Sequence, residues 1–314
     1  MGFLRALVAL CKALQARLAG ILGFNALKPF MITTTTGRTA VLTGANGGLG
    51  LPLTSALAGA GMDLLLVAYP GVGLEDACAV ARARGVRATH LVADLREDAG
   101  RRLTLETAAE RLGHVDVLVN NAGVEYSAPY HELSPEQIRE VMSVNLEAPM
   151  MLTRGVLPGM LARRRGHIVN ISSLAGKAGP ACQEPYAASK AGLCAFTFSL
   201  RNTYRGTGVS ASVVTPGFVD AGIYARMRRR TGRSAPLLLA ACSPERVASA
   251  VLRALTHDRA EIIVNRYPMR PLLALMALWS GLAERVPEWT GANSLFRAAA
   301  LADRSTQAPE GRRP

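Results

Sequence analysis

Short apolar runs recur through the middle of the chain, at Thr39–Thr43, Leu64–Ala68, His90–Ala93, Val115–Val119, His167–Ile171, Ser210–Val214 and Ile262–Val264. Between most of them lie segments long enough for helices. Runs of this length that are apolar at nearly every position, rather than at alternate ones, are what strands buried on both faces look like. Strand alternating with helix predicts βαβ units, and therefore an α/β fold: a Rossmann-type, doubly wound parallel sheet with helices on both faces.

Two segments fall outside this rhythm. Residues 1–36 carry Leu4, Leu7, Val8, Leu14, Leu18, Ile21 and Leu22 at near-helical spacing with basic residues between them, then the run Thr33 to Thr36. This predicts an amphipathic lead-in helix over 3–22 followed by a linker. Arg5, Lys12, Arg17 and Lys28 interrupt its apolar stretches, so none approaches the roughly 20 residues that span a bilayer. Residues 266–314 hold an apolar run, Pro271 to Ala283, and a polar tail, and read as an appendage rather than a further βαβ unit. The expected organisation is one domain, residues 37–265, with an extension at each end.

Composition narrows the function only a little. The formal charge of +13 draws a protein toward nucleic acid, anionic membranes or phosphate-bearing ligands, without choosing among them. The cluster Arg226, Arg228, Arg229, Arg230 and Arg233 reads as a solvated helix face before it reads as an anion site, and the lack of interleaved aromatics argues against nucleic acid. Five cysteines with no C-x-x-C pair and no zinc-like His spacing predict neither a disulfide framework nor a metal site, and fit a reducing cytoplasm.

Chemistry enters at Thr43-Gly44-Ala45-Asn46-Gly47-Gly48-Leu49-Gly50, which follows the first expected strand and opens a helix through Leu53 to Ala58. Glycines here allow a tight turn and a close approach to a pyrophosphate at the helix N-terminus. The spacing T-G-x-x-x-G-x-G resembles that of the short-chain dehydrogenase/reductase family, and the likeness extends over roughly residues 38–265. The resemblance implies cofactor contacts at Thr43, Gly44, Asn46, Gly48, Leu49 and Gly50. It also implies an adenine contact at Asp94, beside Leu95, although Asp94 alone reads equally as a helix N-cap. Asn120-Asn121-Ala122-Gly123 matches the family's motif after strand four, which puts Asn121, Ala122 and Gly123 beside the cofactor. Pro216, Gly217 and Val219 match the segment against the nicotinamide, but Asp220-Ala221 stands where the family often has a threonine.

The second strand ends Val67-Ala68-Tyr69-Pro70 without the carboxylate that would bind an NAD ribose, so NADP(H) is expected and NAD(H) is the alternative. No Arg sits in the glycine loop or directly after that strand. Tyr186 and Lys190 stand four apart in a helix-favouring stretch, on one face, where an ammonium can stabilise a phenolate. In the resemblance Tyr186 transfers the proton, Ser173 holds the substrate oxygen, Lys190 also binds the ribose, and Asn145 supports a water relay. The expected activity is hydride transfer between the nicotinamide and a carbonyl or secondary alcohol.

The substrate is expected to be a small apolar molecule, fatty acyl, retinoid or steroid-like, with a role in lipid metabolism. The run Leu272, Leu273, Leu275, Met276, Leu278 and Trp279 has three readings: a cover over the active-site mouth, packing between subunits of a dimer or tetramer, or peripheral contact with a membrane through Trp279 and Trp289. The competing class is a cofactor-binding regulatory or scaffold protein on the same fold, which would normally lack part of the set Asn145, Ser173, Tyr186 and Lys190.

Overall fold

The computed structural model describes residues 35–307, so the expected lead-in helix and the end of the polar tail lie outside the described residues. Seven strands form the sheet: β1 (Thr39–Thr43), β2 (Asp63–Ala68), β3 (Ala88–Val92), β4 (Val117–Asn120), β5 (Gly166–Ile171), β6 (Val209–Pro216) and β7 (Glu261–Val264). All neighbours are parallel, in the order β3-β2-β1-β4-β5-β6-β7.

The helices between them are α1 (Gly50–Gly59), α2 (Leu74–Arg82), α3 (Asp98–Leu112), α4 (Pro135–Met142), α5 (Ala148–Ala162), α6 (Ala175–Ala178), α7 (Glu184–Thr203), α8 (Gly222–Thr231) and α9 (Pro244–His257). Successive strand residues point to opposite faces, and each face meets its own helices. Leu42, Leu64, Leu66 and Val119 pack with Leu53, Leu57, Leu74 and Val251 of α1, α2 and α9. Val41, Leu65, Val67, Leu118 and Ile168 pack with Leu112, Leu152 and Met160 of α3 and α5. With both faces covered, every strand position can be apolar, which is why the runs do not alternate.

After β3 the chain crosses to the far side of β1 to lay down β4, so the direction of winding reverses between these strands. Their C-terminal ends then diverge into loops on opposite faces and leave a crevice, the usual ligand site of such sheets.

Three strand limits differ from expectation by two residues. β3 covers Ala88–Val92 rather than starting at His90. β4 starts at Val117 because Asp116 is spent on a junction: its buried carboxylate accepts from Arg165 Nε at 2.9 Å and from the Thr39 amide at 3.2 Å. β6 runs on to Pro216.

Helix α4 opens with a capping box in which Ser134 and Gln137 satisfy each other's backbone amides. It does not stop at Met142 but passes through one π-helical turn, Ser143–Glu147, into α5. At the C-terminus, α10 (Arg270–Leu278), α11 (Ser280–Trp289) and α12 (Ala292–Gln307) add no strand. They fold back onto α8, where Leu295, Phe296 and Ala299 form a small core with Tyr224 and Met227. Among the described residues no helix is long and apolar enough to cross a membrane.

Candidate active site

The crevice holds a cavity of about 550 Å³ that runs from the glycine loop past the ends of β4, β5 and β6 to the C-terminal helices. Each end is built by different elements.

The glycine loop forms one wall. Gly44 has φ +65°, and a Cβ there would lie 2.7 Å from Ala122 Cα, so only glycine lets β1 turn this close to the chain after β4. The Thr43 hydroxyl accepts from the amides of Asn121 at 3.0 Å and Ala122 at 3.1 Å, while Asn121 Nδ2 donates to the carbonyls of Thr43 and Gly44. The two motifs therefore hold each other in place. A Cβ on Gly48 would fall 2.2 Å from the Gly222 amide, which brings the start of α8 against the loop. Leu49, at the N-cap of α1, supplies no capping side chain, and Gly50 begins the helix. Gly50 N donates to Gly47 O at 2.8 Å and Pro52 carries no N–H, so the helix start offers an anion the Leu51 amide and the positive end of its dipole. Asn46 Nδ2 donates to Pro70 O at 2.6 Å, tying the loop to the end of β2.

At that end, Ala68, Tyr69, Pro70, Asp94, Leu95 and Arg96 line the cavity. Asp94 is not the N-cap of α3, a place taken by Glu97. Its carboxylate receives the Arg96 amide at 3.0 Å and the Arg96 guanidinium at 2.5–2.9 Å, and this side-chain pairing holds it below the usual carboxylate range. The guanidinium lies 5.5 Å from the centre of the Tyr69 ring. The cationic side chains lining the cavity are Arg96, Lys190 and Arg226, so Arg96 is the one beside the end of β2. The sequence offers no such cation in the glycine loop or directly after β2; the signal is the Arg two places beyond Asp94, which the turn after β3 brings back.

At the cavity floor, α7 presents Tyr186 and Lys190 on one face. Lys190 Nζ donates to Ile171 O at 2.9 Å and sits 5.7 Å from the Tyr186 ring centre. Burial pushes the Lys190 ammonium down to about 8. Burial likewise pushes the Tyr186 phenol up to about 12; a hydrogen bond with Ser173 pulls it back and the Glu125 carboxylate pushes it further. Ser173 and Ser172, both after β5, have different environments. Ser172 is buried and donates to Lys190 O at 2.8 Å, whereas the Ser173 oxygen accepts the Ala175 amide and reaches Tyr186.

Asn145 sits in the π-helical turn, wholly buried, and bonds to the backbone of Val124 and to Ser189 Oγ. On β4 and β5, Asn120 Nδ2 donates to Asn170 Oδ1 and Asn170 Nδ2 to Thr197 Oγ1, each at 2.8 Å, which locks these strands to α7. Pro216 and Gly217 are fixed by Pro216 O accepting from Leu174 N and by Gly217 N donating to Val264 O, both at 2.8 Å. Val219 bridges to Cys242, and Ala221 lines the cavity while Asp220 turns away to Arg228 at 3.0 Å.

Several lining residues were not singled out from sequence. Gln183, buried three residues before Tyr186, donates to Glu125 at 2.6 Å and to Ser127 Oγ at 2.9 Å, and Ser127 also bonds to Glu125. Met269, Val286, Pro287 and Phe296 join Leu273 and Met276 to form an apolar outer wall with Phe218, Ile223, Tyr224 and Met227. The run after Pro271 therefore divides: Leu273 and Met276 face the cavity, while Leu278 and Trp279 are exposed. In the arginine cluster, Arg226 lines the cavity mouth, Arg228 pairs with Asp220 and Arg233 reaches Ser294.

A family model described as short chain dehydrogenase matches residues 38–232. The chain is 38% identical over 265 residues to the ketoacyl reductase HetN of Nostoc sp., covering 83% of this chain and 91% of that protein. It is 35% identical over 231 residues to a 1-deoxy-11-beta-hydroxypentalenate dehydrogenase of Streptomyces exfoliatus, covering 73% and 83%. Among solved structures it is similar to a variant of actinorhodin polyketide ketoreductase with NADPH, at TM-score 0.67 and 31% identity over 74% of this chain and 98% of the other. A metagenomic short-chain oxidoreductase in complex with NADP gives TM-score 0.64 and 32% identity, over 74% and 99%.

Proposed function

The chain belongs to the short-chain dehydrogenase/reductase family and is an NAD(P)-dependent oxidoreductase, and from this we propose that it interconverts a carbonyl and a secondary alcohol on an apolar substrate with NADP(H). The observation that carries the reading is the convergence of Ser173, Tyr186 and Lys190 at the floor of a cavity whose outer walls are apolar.

NADP(H), when bound, supplies or accepts the hydride. The residues present fit it: an α1 N-terminus left uncapped, a glycine turn whose Cβ positions are filled by backbone, no carboxylate at the end of β2, and Arg96 beside that end. The start of α1, with Gly44, Asn46 and Gly48 around it, takes the pyrophosphate. Asp94, Leu95 and Arg96 border the adenosine. Asn121 to Gly123, Pro216, Gly217 and Val219 border the nicotinamide, and Lys190 holds its ribose.

Ser173 and Tyr186 hydrogen-bond the substrate oxygen, polarising it where negative charge develops. In reduction Tyr186 donates its proton to that oxygen, and in oxidation it removes one. A phenol pushed up to about 12 stays protonated near neutral pH but gives up its proton less readily than a free tyrosine, so forming the phenolate in either direction needs positive charge close by. Lys190 supplies it. Asn145 acts at one remove, by fixing Val124 behind the Asn121 to Gly123 motif.

The apolar wall of Tyr224, Met227, Leu273, Met276, Val286 and Phe296 supports a fatty acyl, retinoid or steroid-like substrate, and so a role in lipid metabolism. Exposed Leu237, Leu278, Trp279 and Trp289, with Arg226 at the mouth, support peripheral contact of this end with an anionic membrane. Exposed Met150 and Met151 of α5, beside a groove lined by Phe196, Leu200 and Tyr204, support a dimer or tetramer.

The test is NADPH consumption with a panel of ketones of increasing chain length, followed at the nicotinamide absorbance. Turnover that rises with apolar length supports the reading. No turnover with any ketone, or with NADP⁺ and the matching alcohols, contradicts it.

A further inference from the structure

At the edge of the sheet, where α2 lies along β3, three side chains able to bind metal come together from two elements. Glu75 in the first turn of α2 and Cys78 one turn later share a helical face, and His90 in β3 meets them. Glu75 Oε2 is 3.1 Å from His90 Nδ1, Cys78 Sγ is 3.9 Å from the same nitrogen, and all three donor atoms lie within 4.8 Å of one another.

These separations are close to the edges of a coordination tetrahedron. With zinc bonds of about 2.0–2.1 Å to nitrogen or oxygen and about 2.3 Å to sulfur, ligand atoms stand about 3.3 Å apart for N and O and about 3.6 Å for S and N. Adjustments of a few tenths of an ångström close the two edges that meet at His90, and the Cys78–Glu75 edge, within 4.8 Å, closes by rotation of the Glu75 side chain. The donors also have the right surroundings. Arg82 Nη1 donates to Glu75 Oε1 at 2.7 Å and its Nε to Ala88 O at 3.1 Å, so one carboxylate oxygen is anchored and the other is left facing His90. Hydrogen bonding of a ligand's second atom in this way orients first-coordination groups in metal sites. Cys78 is fully buried while Glu75 and His90 reach solvent, so a fourth position would face outward, to water.

We propose that Glu75, Cys78 and His90 form a zinc-binding site that ties the edge strand β3 to α2, with water as the fourth ligand. Magnesium and calcium prefer all-oxygen shells, whereas thiolate with imidazole and one carboxylate suits zinc. On binding, the Cys78 S–H bond breaks, its proton leaves to solvent, and the sulfur electron pair forms the Zn–S bond; no oxidant or reductant is involved. The site is remote from Tyr186 in role but close to the cofactor in the chain: the Tyr69 to Gly73 turn bordering the adenosine end leads straight into α2. It escapes sequence reading because its ligands stand 3 and then 12 residues apart, on a helix and a strand, without a C-x-x-C or H-x-x-x-H pattern.

The test uses the full chain, stripped with chelator and then titrated with Zn²⁺ in competition with a chromophoric chelator, and separately with Co²⁺. The proposal expects wild type to bind one more zinc equivalent than Cys78→Ala or His90→Gln. It also expects the cobalt form to show a thiolate-to-metal charge-transfer band that vanishes in Cys78→Ala, and zinc to raise the melting temperature of wild type but of neither variant. His90→Gln can still hydrogen-bond Glu75, so it separates metal ligation from a simple Glu75–His90 contact, and NADPH binding reports whether each variant is folded. Equal zinc binding by wild type and folded His90→Gln, or a cobalt spectrum without the thiolate band, overturns the proposal.

Discussion

The carboxamide of Asn145 grips the backbone of Val124 at two points: its Oδ1 accepts the Val124 amide and its Nδ2 donates to the Val124 carbonyl, both at 2.9 Å. Two hydrogen bonds to one residue fix the chain leaving Asn121 to Gly123 in position and in orientation. A π-helical turn between α4 and α5 places Asn145 to make them, which accounts for a polar residue fully buried in the middle of a helix.

Asn145→Leu is expected to strand both backbone groups of Val124. Leaving buried polar groups unpaired costs about 1–3 kcal/mol each, so urea denaturation should show a loss of about 2–4 kcal/mol. NADPH affinity should fall as well, because the segment beside the cofactor loses its anchor. A loss below about 1 kcal/mol would mean that water replaces the clamp without cost.

Arg96 is expected to read the 2′-phosphate of the cofactor, as the cavity-lining cation beside the end of β2. Arg96→Gln should weaken NADPH about 10- to 100-fold, the worth of one or two hydrogen bonds to a charged group, and leave NADH nearly unchanged. Ala68→Asp should favour NADH by repelling the phosphate. Fluorescence titration of both cofactors decides this, and equal losses for NADPH and NADH in Arg96→Gln would assign the residue to holding Asp94 alone.

Lys190 titrates near 8 in the free protein, against 10.5 unperturbed, because burial disfavours its charged form. The native state thus binds fewer protons than the unfolded state between about pH 8 and 10.5, and the burial penalty, present in full below that window, fades as pH rises through it. Stability of the cofactor-free protein should therefore gain from this residue across the window, and Lys190→Met should abolish that gain. NADPH affinity should move the other way, declining above about pH 8 as the ammonium loses its proton. A flat affinity profile in wild type, matching that of Lys190→Met, would show that Lys190 does not bind the cofactor through its charge.

Met276→Asp is expected to raise KM for long apolar ketones at least tenfold, with little change for short ones or in NADPH affinity, because Met276 faces the outer cavity. Burying a charge against an apolar chain costs well over the 1.4 kcal/mol that a factor of ten represents. Steady-state kinetics across a chain-length series measures it. Equal effects on short and long ketones would place the chain elsewhere.

Much of this architecture is legible in the sequence because both faces of the sheet are covered. Leu64 to Ala68 is apolar at every position and Val115 to Val119 at all but Asp116, and helix-length segments separate the runs, which leaves little choice but a parallel sheet. The positions of Thr43, Gly44, Asn121 and Ser173 follow from motifs that lie at strand ends, and those of Tyr186 and Lys190 from a four-residue spacing on one face of α7. What was hidden depends on how distant segments meet. Arg96 belongs to the β3–α3 turn yet stands beside Tyr69 at the end of β2. The wall of Met276, Val286 and Phe296 comes from helices that add nothing to the βαβ rhythm, so only their packing against Tyr224 and Met227 ties them to the site. The run from Leu272 to Trp279 could be read as cover, interface or membrane contact because its two faces do different things: Leu273 and Met276 turn inward and Leu278 and Trp279 outward.

The central claim, that Tyr186 moves the proton, is tested most directly by Tyr186→Phe. The change removes one hydroxyl and little volume, so fold and NADPH affinity should be retained. General acid–base assistance is worth about 10²- to 10⁴-fold, so single-turnover reduction of a ketone substrate should slow at least about a hundredfold. Retention of more than about a tenth of the wild-type single-turnover rate, with NADPH binding unchanged, would contradict the account.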